Sequence, residues 1–165
     1  MRTTITALIG AATTAIMLSG AGIAAASTHT ATTATEHFQE MVASPAATKA
    51  NVIVYGAFTA AGVDQENGNN TDTFKFPGGS FLVTPKFTVK SQHLNKTTCL
   101  LTQTLAVTYA ISHGTGTYAG IRGSGHGTLT DLEITARDSH GACSTTTTPR
   151  AQQVIAYGQG PVTLP

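Results

Sequence analysis

Cys99 to Ser112 reads CLLTQTLAVTYAIS. Leu101, Leu105, Val107, Tyr109 and Ile111 fall on one parity of this stretch, and Thr102, Thr104, Ala106, Thr108 and Ala110 on the other. Successive side chains of a strand point to opposite faces, so a period of two sustained over this length marks a strand with one buried face. Upstream, Phe81 to His93 repeats the pattern, with Phe81, Val83, Phe87 and Val89 opposed to Thr84, Lys86, Thr88 and Lys90. Asp72 to Phe76 alternates around Phe74 and Phe76 and is stopped by Pro77-Gly78-Gly79. Asn51 to Ala60 is rich in Val, Ile, Tyr and Phe, whereas Gly62 to Asn70 reads as a turn-rich segment with Asn67-Gly68 as the reversal.

Downstream, His126 to Asp138 resumes the alternation, with Leu129 odd but Leu132, Ile134 and Ala136 even. A bulge near Thr130 or Asp131 would restore these four to one face. The last strand material is Ala151 to Tyr157 and then Gly160 to Leu164. No helical period of useful length competes, so the chain reads as an all-β barrel or sandwich, with closure preferred because it removes exposed edges.

Composition agrees with that class. The 165 residues include nine Lys or Arg and eight Asp or Glu, together about 10%, while threonine alone supplies 31. Low charge with 41% hydrophobic residues excludes a charge-rich disordered chain, and the scarcity of Leu, Lys and Glu excludes a coiled coil. A near-even charge balance leaves no electrostatic footprint for nucleic acid.

Met1 to Ala26 carries one cation, Arg2, then an apolar run interrupted by Thr and Gly, and ends in Ala24-Ala25-Ala26 before Ser27. This is the pattern of a secretory signal peptide with an A-x-A cleavage site, and it predicts a secreted, extracellular protein with no transmembrane segment after cleavage. Ser27 to Thr35, STHTATTAT, has no periodicity and reads as a flexible leader. Glu36 to Val42 can make one or two helical turns with Thr35 as the cap. The expected organisation is therefore a signal peptide over 1–26, a Thr/Ala-rich leader over 27–50 and one β-barrel domain over 51–165.

Cys99 and Cys143 are the two cysteines of the chain. An exported protein meets oxidising conditions, which predicts a disulfide rather than a thiol nucleophile. An antiparallel hairpin of Thr98–Ser112 with 125–143 brings the two opposite each other after one bulge.

Between those strands lies GTGTYAGIRGSG, Gly114 to Gly125. Its first six residues fit the dinucleotide-binding spacing G-x-G-x-x-A, but a strand pattern follows where that motif needs a helix. A tight reversal is the better reading, with glycines at positive φ and Tyr118 and Ile121 turned inward as plugs. This loop, running into an alternating strand, resembles the allene oxide cyclase-like barrel superfamily, which is similar to dirigent proteins and common among small secreted actinobacterial proteins. Tyr55-Gly56-Ala57-Phe58 and Gly158-Gln159-Gly160-Pro161-Val162 fit the same resemblance, which spans about Val52 to Leu164. The resemblance implies an eight-stranded antiparallel barrel whose apolar interior holds a small hydrophobic molecule. Cyclases of this family act mainly by enforcing substrate shape, and none of their catalytic residues falls in the loop that matches.

The six histidines show no metal-binding spacing, so no metal or cofactor is expected. Asp64, Glu66, Asn70 and Asp72 have a spacing that calcium can use, although an ordinary solvated turn is the expectation. Asp131, Glu133 and Asp138 are expected to face water. Gln103 shares the parity of Leu101 and Tyr109, so its amide is expected inside, where it needs a partner or a ligand. Tyr109 and Tyr55 are the other candidates for ligand contact inside a cavity. The function expected is non-catalytic binding of a small hydrophobic ligand or of a surface partner. The alternatives are a cofactor-independent isomerase or cyclase acting in the cavity, and a structural wall component.

Overall fold

The computed structural model describes residues 31–42, 44 and 46–165. Its strands are β1 (Thr32–Val42), β2 (Lys49–Tyr55), β3 (Ala60–Glu66), β4 (Asp72–Phe76), β5 (Gly79–Asn95), β6 (Leu100–Ser112), β7 (Arg122–Ile134), β8 (Ala136–Arg137), β9 (Cys143–Ser144) and β10 (Ala151–Leu164). Eight of them close into one antiparallel ring in the order β1-β10-β7-β6-β5-β4-β3-β2, and β8 pairs with β9 outside it. The only helical element among the described residues is a 3-10 turn, Gly116–Tyr118.

Closure leaves each strand an inner and an outer face, and an eight-stranded ring encloses a space just wide enough for side chains to fill. Val52 and Val54 of β2, Phe74 and Phe76 of β4, Phe81 and Val83 of β5 and Ile111 of β6 point inward and are buried in one cluster. Antiparallel connectivity puts the β2–β3, β4–β5 and β6–β7 connections at one end of the ring. There the glycine loop acts as the expected plug: Tyr118 and Ile121 are buried, and Gly116 and Gly120 have φ of 58° and 84°. Phe58 adds its ring against Tyr118, centroids 5.1 Å apart. Among the described residues, no glycine-rich loop of this kind closes the opposite end.

Four features depart from the pattern-based expectations. Within the leader expected over 27–50, of which 27–30 lie outside the described residues, Thr32–Val42 form β1 in place of a flexible segment and of the helical turns expected over 36–42; β1 pairs along its whole length with β10 and also with β2. A segment as short as 36–42 gains little as an isolated helix, whereas it supplies the strand without which the ring would have two open edges. The barrel domain thus begins at β1 and not at 51, and the expected signal peptide lies outside the described residues. Gly62 to Glu66, expected as part of the turn over 62–70, belong to strand β3, which pairs with both neighbours. The predicted bulge in β7 is absent, since β6 and β7 pair in unbroken register from Leu100↔Ile134 to Ile111↔Gly123. Leu132 and Ile134 therefore sit on the outer face, and the register shift falls in β5 between Val89 and Ser91.

The disulfide forms between Cys99 and Cys143, with their Cα atoms 5.3 Å apart. It ties the β5–β6 turn to the β8–β9 hairpin, beside Thr135, whose backbone N–H and hydroxyl both donate to the Cys99 carbonyl. Arg137 extends the same anchor by donating to the Gly141 and Thr97 carbonyls, at 2.6 and 2.7 Å.

Candidate functional site

Toward the unplugged end the aromatic core gives way to a cavity of about 100 Å³, walled by Phe38, Phe74, Val83, Phe87, Val107 and Leu129 among others. Tyr109 is the polar aromatic in this wall. Its position follows from the sequence of its neighbours: Gly125 and Gly158 lie against the ring, and a Cβ on Gly125 would collide with Tyr109 Oη and the Gln159 carbonyl. The inward positions of β7 at 123, 125 and 127 are all glycine, which gives the phenol room to lie inside. The ring meets Phe38 edge-on, centroids 5.5 Å apart, and its hydroxyl is buried without a partner. Burial, reinforced by the charge of Glu36, pushes the phenol pKa up to about 12.

Glu36 itself is fully buried, at 0% exposure. Its Oε2 accepts the Phe58 backbone N–H at 3.0 Å, while Oε1 has no partner. Burial raises its pKa, and the backbone N–H groups of Phe58 and Ala57 oppose that rise. Glu36 and Tyr109 thus place two unsatisfied oxygens inside the ring, an arrangement that costs stability unless a ligand or water completes it.

Beyond the cavity the wall turns acidic. A second space of about 230 Å³ is bounded by Glu40 of β1, Asp64 and Glu66 of β3, and Asp72 of β4, and it shares Glu40, Asp72, Pro85 and Phe87 with the apolar cavity. Asp64 is 7% exposed, and no backbone or side-chain N–H reaches its Oδ1. Burial, followed by the charges of Glu40 and Asp72, pushes the Asp64 carboxyl up to about 9. Glu40 is raised by burial as well, and the two carboxyls lie close enough to share a proton. Asp72 rises to about 6, through burial and then the charge of Glu66. Like charges gathered in a low-dielectric wall cannot all ionise without a counter-charge.

The three residues expected inside the cavity separate. Tyr109 is there. Tyr55 is not: Val52 and Val54 take the inward parity of β2, so Tyr55 points out, 50% exposed and stacked on His37 at 4.9 Å. Gln103 keeps the inward parity but lies beyond the cavity wall, half-buried between its register partners Gln92 and Asp131. Asp131 and Glu133, expected in water, are half-buried on the same inner face because β7 has no bulge. The Gln152 amide bridges them, 3.1 Å from Asp131 and 3.2 Å from Glu133.

Glu36, Glu40, Asp64 and Asp72 were not legible as interior groups. The signal existed, since Glu36, Phe38, Glu40 and Val42 share one parity, but it has meaning only once the segment is known to be a strand. No group of three or more His, Cys, Asp or Glu among the described residues is arranged to hold a metal ion, and no helix among them is long and apolar enough to cross a membrane. Comparison with known protein families, curated proteins and solved structures found no match to the chain.

Proposed function

We propose that this chain is a secreted, allene oxide cyclase-like barrel that binds a small hydrophobic molecule between its strands without transforming it. The observation that carries the reading is the apolar cavity that lies beside the plugged aromatic core and is continuous with the acidic space through Glu40, Asp72, Pro85 and Phe87. Binding pockets are concave, mostly apolar and furnished with a few polar groups, and this one offers Tyr109 together with the acidic residues at its margin. The family part of the reading rests on the resemblance of the glycine loop and its flanking strands, and the disulfide is compatible with an extracellular setting. The test is binding of an environment-sensitive apolar fluorophore to the purified chain and to Ala156→Phe, whose ring would occupy the cavity beside Leu129. Strong binding by the parent and loss of most of it in the variant supports the reading, and equal signals from both defeat it.

A second reading, a cofactor-independent isomerase or cyclase acting on an unsaturated hydrophobic substrate, is favoured by the unpartnered Tyr109 hydroxyl in the cavity wall. It requires Tyr109→Phe to abolish conversion of a bound substrate while leaving its affinity within about three-fold, a difference of less than about 1 kcal/mol.

A further inference from the structure

The acidic space at the unplugged end does something that an apolar pocket alone does not explain. Glu40, Asp64, Glu66 and Asp72 come from three strands and all take inward positions, where β-barrels ordinarily place apolar side chains. Burial of Glu40, Asp64 and Asp72 is costly, while Glu66 lies exposed at the edge of the space. Asp64 is more than nine-tenths buried, with an oxygen that receives no N–H. Among the described residues, Lys49 is the one basic residue bounding the space. Its register partner is Gln65, so it belongs to the outer face of β2, and among the described residues no cation offsets the raised pKa values of Glu40, Asp64 or Asp72. The remaining residues facing the cluster from β5, Pro85 and Phe87, carry no charge.

A compact metal ion is a poor match, because calcium takes six to eight oxygens at about 2.3–2.6 Å, and the carboxylates are not gathered into such a cage. A diffuse cation suits a ring of carboxylates spread around an opening. Phe87, 52% exposed at the shared margin of the two spaces, adds an aromatic face to which such a cation is attracted. We propose that the barrel takes an amphiphilic ammonium ligand, with its apolar tail in the inner cavity and its cationic head among Glu40, Asp64, Glu66 and Asp72. This rests on the hydrophobic-ligand reading above and names its chemical class. The head supplies the missing counter-charge, so binding releases the protons that the crowded carboxyls hold in the free protein.

The test is calorimetric titration of the full chain with octyltrimethylammonium, 1-octanol, octanoate and calcium alone. The quaternary head stays charged at every pH, so any pH dependence belongs to the protein. Octyltrimethylammonium should bind at least about ten-fold more tightly than 1-octanol, and octanoate more weakly than either. Asp64→Asn and Glu40→Gln should each cut that preference to less than about three-fold. Affinity for the quaternary ligand should fall as pH drops from about 8 to 5, because the carboxyls take up protons, and affinity for 1-octanol should not follow. Equal binding of the three octyl compounds overturns this inference and leaves the apolar cavity standing. No binding of any of them overturns both. Saturable calcium binding that Asp64→Asn abolishes makes the cluster a metal site and also overturns the inference.

Discussion

Asp64→Asn should stabilise this protein, and by an amount that depends on pH. Asp64 sits in the inner wall of β3 with its pKa raised to about 9, against about 3.9 in an unfolded chain. A group whose folded pKa lies above its unfolded value contributes no penalty below the unfolded pKa, and stability is lost progressively as pH rises toward the folded one. At pH 7 the folded state still holds the proton while the unfolded state has released it. At about 1.4 kcal/mol per pH unit, this amounts to a ceiling of about 4 kcal/mol. The same proton also serves Glu40, so removing one member of the pair should recover roughly half, about 2 kcal/mol. An Asn amide adds a donor toward Glu40 in place of the repulsion. For a chain of this size the gain corresponds to roughly 4–8 °C in Tm. The assay is urea and thermal unfolding of parent and variant at about pH 4 and pH 8, with the disulfide intact. The advantage should be near zero at the lower pH and at the higher one should be at least as large as the value worked for pH 7. A variant less stable than the parent at pH 8, or a difference that ignores pH, would refute the account of this wall.

Tyr109→Phe removes a buried hydroxyl that has no partner, so it should leave stability unchanged or raise it by up to about 1 kcal/mol. In an ultraviolet pH titration it should also delete the phenol that ionises near 12. Gly125→Ala should cost about 3 kcal/mol or more, because the new methyl meets the Gln159 carbonyl as well as Tyr109. Denaturant midpoints would show this, and a cost under about 0.5 kcal/mol would mean that the β7 glycines do not make room for the phenol. Reducing the Cys99–Cys143 bond, which spans 44 positions, should lower stability by as much as about 4 kcal/mol in the chain-entropy picture. An unchanged urea midpoint in reductant would show that the β5–β6 turn needs no covalent anchor.

Much of the ring was written in its alternating strands. Thr102, Thr104 and Thr108 face outward while Leu101, Val107 and Ile111 face inward, and threonine's β-branched side chain suits an exposed pleated surface. Three segments escaped for related reasons. β1 and β3 carry Glu36, Glu40, Asp64 and Glu66 at inward positions, so their period of two is present but is not hydrophobic. The alternation in β7 ends at Leu129, after which Asp131 and Glu133 continue the inner face while Leu132 and Ile134 face out. A rule that equates inward with apolar must insert a bulge there. Tyr55 failed for the converse reason, since in β2 the smaller valines took the interior and left the aromatic outside.

The sequence by itself determined the all-β class, the disulfide and the reversal at the glycine loop with Tyr118 and Ile121 as its plugs. Each of these is set by local periodicity, by cysteine number or by the conformational needs of a tight turn. Tertiary structure decided where the ring closes and which groups its interior collects. Pairing of β1 with both β2 and β10 is a contact between distant parts of the chain, and no local pattern encodes it. Only that closure carries Glu40 across to Asp64 and Asp72 and turns four scattered carboxylates into one charged wall beside an apolar cavity.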